Sequence, residues 1–164
     1  MKGFTYIEII LYVAILTIMM TALIPFAWNV IEGGAKSSTQ QEVFSNARFI
    51  SERIKYEIRN STGINTVSSN SISLATGTSA TNPTIIDLSS GNIRIKQGAA
   101  SPINLNSTDT TISSLTFTNY TSSDTKTEHI QFAFTLTDNY TAAGPRQEYN
   151  ASTTIEGSAE VRSN

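Results

Sequence analysis

The sequence predicts an α+β chain: a long N-terminal helix, half membrane-like and half amphipathic, packed against a small antiparallel β-sheet head. Three observations predict it. The 23 residues from Ile9 to Ile31 carry no charge, enough for a helix to cross a hydrocarbon core of about 30 Å. Val43, Ala47, Ile50, Ile54 and Ile58 then recur at spacings of three and four, which lays them on one helical face. Past Gly63 the apolar period falls to two, as in Ile130, Phe132, Phe134 and Leu136, and that alternation marks half-buried strands. The chain therefore divides into a membrane-like half-helix that ends at residue 31, an amphipathic half-helix 32–60 and a β-rich head 61–164.

The apolar run has internal structure of its own. Its polar members, Thr17, Thr21 and Asn29, are tolerable where each finds a partner. A removable secretory signal is disfavoured, because its apolar core is usually only about 7 to 15 residues and ends at a small-residue cleavage site. Pro25 removes one backbone donor and crowds the carbonyl four residues back, so a kink or loosening is expected between Thr21 and Pro25. Gly33 and Gly34 are a second expected weak point, where the two halves join.

The amphipathic half carries its charges away from the apolar face. Phe44 and Phe49 flank that face, and Glu42, Arg48, Glu52, Arg53, Lys55, Glu57 and Arg59 make up the rest. Arg53 and Glu57 stand one turn apart and should attract. Asn60-Ser61-Thr62-Gly63 reads as the stop. A helix of this length, about 85 Å at 1.5 Å per residue, is far too long for one small head to cover. Half of it must be buried by lipid or by other copies.

In the head, TIIDL (84–88) and NIRIKQ (92–97) flank Ser89-Ser90-Gly91 as a hairpin. Thr111–Tyr120 gives a further strand, and Ile155, Gly157, Ala159 and Val161 a last one. Four or five strands are expected, in a meander covered by the Val43–Ile58 face. The stretches 61–83, 98–110 and 138–153 read as loose surface linkers.

Composition bounds the chemistry. Charged residues make up 15% of the chain, the formal net charge is −2 and there is no Cys. Without a basic stripe, direct nucleic-acid binding is not expected, and without thiols there is neither a disulfide nor a thiolate metal site. His129 is the only histidine and cannot anchor a metal alone. Asp87, Asp109, Asp124 and Asp138 lack the spacing of a calcium loop, and no glycine-rich phosphate loop occurs. No enzyme and no cofactor are expected. Sequons stand at Asn60, Asn106, Asn119, Asn139 and Asn150, a number that chance allows in a head this rich in Ser and Thr.

One residue resists this account. Glu8 is a carboxylate at the head of the apolar run, where burial in lipid costs several kcal/mol. Lys2-Gly3, then Phe4-Thr5-Tyr6-Ile7-Glu8 and the apolar run, resembles the class III signal sequence and N-terminal helix of type IV pilins and the related pseudopilins. The resemblance implies a three-residue leader, cleavage between Gly3 and Phe4 by a prepilin peptidase, and N-methylation of Phe4 by the same enzyme. It implies that Glu8 pairs with the N-terminal amine of an adjoining subunit, which would offset its burial only when a neighbour is present. Pro25 falls where many pilins have a helix-disrupting proline.

The implied partners are the peptidase/methyltransferase, other pilin or pseudopilin subunits, an inner-membrane assembly platform and the lipid bilayer. The implied location is the cytoplasmic membrane, crossed once with the head outside, and an extracellular filament after assembly. RFISERIKYEIRNSTGI (48–64) and IRIKQG (93–98) resemble PilW/GspJ-type minor subunits. The C-terminal cysteine pair of many major pilins has no counterpart here. A minor pilin or pseudopilin is the first expectation, a major pilin of a thin filament the second. A single-pass anchored surface or adhesive domain that never polymerises is the third.

Overall fold

The computed structural model describes residues 3, 5–122, 127–140 and 150–161. One helix, α1, runs from Tyr6 to Asn60. Among the described residues eight strands follow: β1 (Gly63–Ser68), β2 (Ser71–Ala75), β3 (Thr84–Ser89), β4 (Asn92–Gln97), β5 (Ile103–Asn104), β6 (Thr110–Asn119), β7 (His129–Asp138) and β8 (Ser152–Glu160). The expected architecture, a long N-terminal helix on a small antiparallel head, is the one observed.

The strand count differs from the expectation. The head holds two antiparallel sheets, β1-β2-β3-β4-β5 and β6-β7-β8, in place of a single meander. Two of the supposed linkers contain strands: β1 and β2 lie within 61–83, and β5 lies within 98–110. The reason is local. SISLA alternates Ile72 and Leu74 with Ser and Ala, and both apolar residues are fully buried; five residues rich in serine look like loop until β3 pairs with them and their apolar face joins the core. Of the stretch 138–153, residues 141–149 lie outside the described residues, while Ser152 and Thr153 already belong to β8.

Where the alternation is clear, the strands fall as expected. Along β7, Ile130, Phe132, Phe134 and Leu136 are buried and the intervening residues are not. The β3–β4 hairpin closes through Ser90 and Gly91 alone, both at positive φ (50° and 74°), between the paired Ser89 and Asn92. Two left-handed residues in a two-residue loop match the twist of the flanking strands, and a side chain on Gly91 would also collide with Thr111. The two sheets are tied at this turn, where the Gly91 carbonyl accepts the Ile112 amide at 2.8 Å, and at the β1–β2 turn, where the Ser69 carbonyl accepts Phe117 N at 2.9 Å.

The expected face of the helix is the one that packs. Val43, Ala47, Ile50, Ile54 and Ile58 are at most 2% exposed and lie in one core with residues of both sheets. The helix crosses β8 and β7. Beside β8's middle, Gly157 lies opposite Phe132, whose ring occupies the space a side chain at 157 would need. Each fully buried Ile adds roughly 1.5–3 kcal/mol of transfer free energy, and this holds the helix to the head.

Polar contacts set the register of the helix on the other side. Asn46 bonds Ser107 twice, accepting from its amide and donating to its hydroxyl, both at 3.3 Å. Beside it, the buried Asn106 accepts from Ile93 N (3.1 Å) and donates to Asn92 Oδ1 and the Thr110 carbonyl (2.9 Å each). Further up, Glu57 is buried and takes Arg53 Nη2 at 2.7 Å, with the Gln97 amide at 3.4 Å.

Candidate functional site: the free half of the helix

Beyond the head the helix continues alone. From Tyr6 to Gly34 every residue but Glu8 is exposed, and an 18-residue stretch of mean hydropathy 2.4 has no buried residue. It is the one helix among the described residues long and apolar enough to cross a membrane. At a rise of 1.5 Å per residue the whole helix measures about 80 Å. Its first half is an apolar rod with no partner in its own chain.

The expected weak points do not interrupt it. The helix passes through Pro25, and through Gly33 and Gly34, as one element. Pro25 leaves the Thr21 carbonyl without its helical donor. Thr17 and Thr21 turn their hydroxyls inward along the helix, donating to the carbonyls of Val13 and Thr17. In an apolar surrounding this satisfies hydroxyls that would otherwise be costly to bury. Neither glycine has another group within reach of an added side chain.

At the N-terminal end the positions named from sequence separate. Gly3 is exposed, with open space around the position of an added side chain. Phe4 lies outside the described residues, as do Met1 and Lys2. Glu8 stands in the first helical turn, where the positive end of the helix dipole favours a carboxylate. Thr5, the N-cap, makes no side-chain capping bond. The hydroxyl of Tyr12, one turn on, lies 3.5 Å from Glu8 Oε1. Sequence reasoning passed over Tyr12, although its i, i+4 spacing from Glu8 was there to be read.

Among the head's described residues no cluster of His, Asp and Glu is set to hold a metal. His129 opens β7 and lies across the ladder from Glu160. Asp87 is engaged by Arg94, its cross-strand partner, in a two-bond pair at 2.9 and 2.7 Å, and this carboxylate raises the Arg94 guanidinium further above its ordinary value. Asp138 accepts the Tyr140 amide at 2.7 Å. Asp124 lies outside the described residues. Of the sequons, Asn106 is buried with its amide engaged, whereas Asn60, Asn119, Asn139 and Asn150 are exposed.

The candidate functional surface is thus the free half-helix with its single carboxylate. A long apolar helix on a small antiparallel head is consistent with a pilin-like fold and a membrane-associated location. Comparison with known protein families, with curated proteins and with solved structures finds no match.

Proposed function

We propose that this chain is a minor pilin or pseudopilin, a non-enzymatic subunit assembled through its N-terminal helix into a type IV pilus or a type II secretion-like filament. The observation that carries the reading is the two-part helix. One continuous rod is seated in the head by its second half, and its first half is apolar on every side. A helix apolar all round is stable only in lipid or inside a bundle. Lipid would hold the subunit before assembly, and the helices of other subunits would replace lipid afterwards. Glu8 supports assembly over simple anchoring. A plain anchor gains nothing from a carboxylate in its first turn, whereas a filament subunit can pair it with a neighbour's N-terminal amine.

In this reading a prepilin peptidase cleaves between Gly3 and Phe4 and methylates Phe4, the head faces outward and an inner-membrane platform lifts the subunit from the bilayer. The test is Glu8→Ala in the native host. Removing one partner of a buried ion pair costs roughly 3–5 kcal/mol, and each 1.4 kcal/mol is about tenfold in an equilibrium. The variant should therefore remain in the membrane fraction at wild-type level while its amount in sheared filaments falls at least about tenfold. Equal incorporation of variant and wild type would overturn the assignment. Gly3→Val should leave the leader attached, read as an intact mass that retains residues 1–3. The ratio of this chain to other subunits in sheared filaments distinguishes a minor from a major pilin.

A further inference from the structure

We propose that Tyr12 is the intrachain partner of Glu8, a positioning residue whose hydroxyl donates to the Glu8 carboxyl while the subunit stands alone in the membrane. Two observations carry this. The Tyr12 hydroxyl lies 3.5 Å from Glu8 Oε1, at the outer limit of a hydrogen bond, with the two side chains stacked one turn apart on the same face. Independently, Glu8 is half-buried, whereas every other residue between Thr5 and Gly34 is exposed.

The physical need is specific. Between Ile7 and Ile31 Glu8 is the only ionisable carboxyl, and a carboxyl in hydrocarbon persists only with a partner. Before any neighbour arrives, the partner must come from its own helix. Thr5 makes no side-chain capping bond, Thr17 and Thr21 spend their hydroxyls on backbone carbonyls, and Tyr6 is 80% exposed. Tyr12 is suited to the task, since its ring is at home in lipid and its hydroxyl supplies one donor with no charge of its own. A neutral hydrogen bond lowers the cost of the unpaired carboxyl yet remains weaker than a charge-assisted one, so a cationic partner can displace it.

The experiment uses the full chain in native membranes and a lipid-soluble carbodiimide, dicyclohexylcarbodiimide, which modifies carboxyls inside the bilayer. Labelling is followed by intact mass, with Glu8→Gln as the control that no other carboxyl is read. A carboxyl oxygen occupied by a hydroxyl proton reacts more slowly, so Tyr12→Phe should label at least about threefold faster, while Tyr6→Phe should label at the wild-type rate. Tyr12→Phe keeps the ring and hence the helix surface. Equal rates for Tyr12→Phe and wild type, or an equal acceleration by Tyr6→Phe, would overturn the proposal.

Infrared spectra of chain carrying isotope-labelled glutamate give a second reading that does not depend on labelling. The Glu8 carboxyl band should shift in Tyr12→Phe and stay in place in Tyr6→Phe; an unmoved band in Tyr12→Phe refutes the pairing. Neither measurement requires filaments, so this inference can fail while the filament assignment stands, and the reverse.

Discussion

The two halves of α1 are one uninterrupted helix with opposite fates. In the second half Ile50, Ile54 and Ile58 are fully buried, while in the first Ile15, Leu16 and Leu23 are about half exposed. The difference is one of pattern. From Val43 to Ile58 apolar residues return every three or four positions and leave a charged reverse side, so one small head can satisfy them. From Ile9 to Ile31 they cover the whole circumference, and no single head could. A continuous helix can therefore carry two separate burial problems, one solved inside the chain and one left for the surroundings.

The comparison is broken most strongly by cutting the core side of the helix. Ile54→Ala should destabilise the head by about 2–5 kcal/mol, read by denaturant unfolding of the full chain in detergent. Leu16→Ala in the free half should leave the same transition within about 0.5 kcal/mol. If both changes cost the same, the division of the helix proposed here is wrong.

Two smaller effects sharpen where the head holds the helix. Asn106→Ala removes the hub that ties β4, the Ser107 turn and the start of β6, and should cost about 1–3 kcal/mol for the polar groups left unpaired. Gly157→Ala would set a methyl 2.5 Å from Phe132 Cζ. The ring must move, at about 1–3 kcal/mol, and the near-ultraviolet aromatic signal should change with the unfolding midpoint. A Gly157→Ala chain as stable as wild type would mean that the Phe132 ring yields freely.

The surface pairs should contribute least. Asp87→Asn, which breaks the two-bond pair with Arg94, should cost no more than about 1 kcal/mol and lose its effect in high salt. At the far end of the helix the bond from Lys55 holds the exposed Glu52 carboxyl below its ordinary value. A carboxyl lowered in the folded state stabilises above its unfolded pKa, and the contribution disappears as pH falls through the lowered value. Melting curves of Glu52→Gln and wild type should thus differ slightly at neutral pH and converge in acid; divergence in acid would reverse the sign of this argument.

Legibility followed the strength of each local pattern. The Val43–Ile58 face and the β7 alternation were readable because many residues repeat one period. The pairing of Arg53 with Glu57 was readable from spacing, and the structure has it at 2.7 Å. By contrast β1 and β2 were missed, since Ser and Thr at four of their eleven positions dilute the alternation and the burial of Ile72 and Leu74 depends on a core assembled from distant elements. Asn106 was read only as a sequon. Its role as a hub joins residues 92, 93 and 110, which no single stretch of sequence contains. At the candidate site Glu8 stood out by its chemistry, whereas Tyr12 looked like one more lipid-facing aromatic until its hydroxyl was placed beside the carboxyl.

What the sequence by itself determined is everything that depends on neighbours along the chain: the length of the helix, which of its faces is apolar and where the period changes from helix to strand. The tertiary structure alone decided that the strands form two sheets, that hairpin turns of one sheet accept hydrogen bonds from the edge of the other, and that Gly157 makes room for Phe132. Those outcomes rest on contacts between residues far apart in the chain, whose partners are fixed only when the core closes around them.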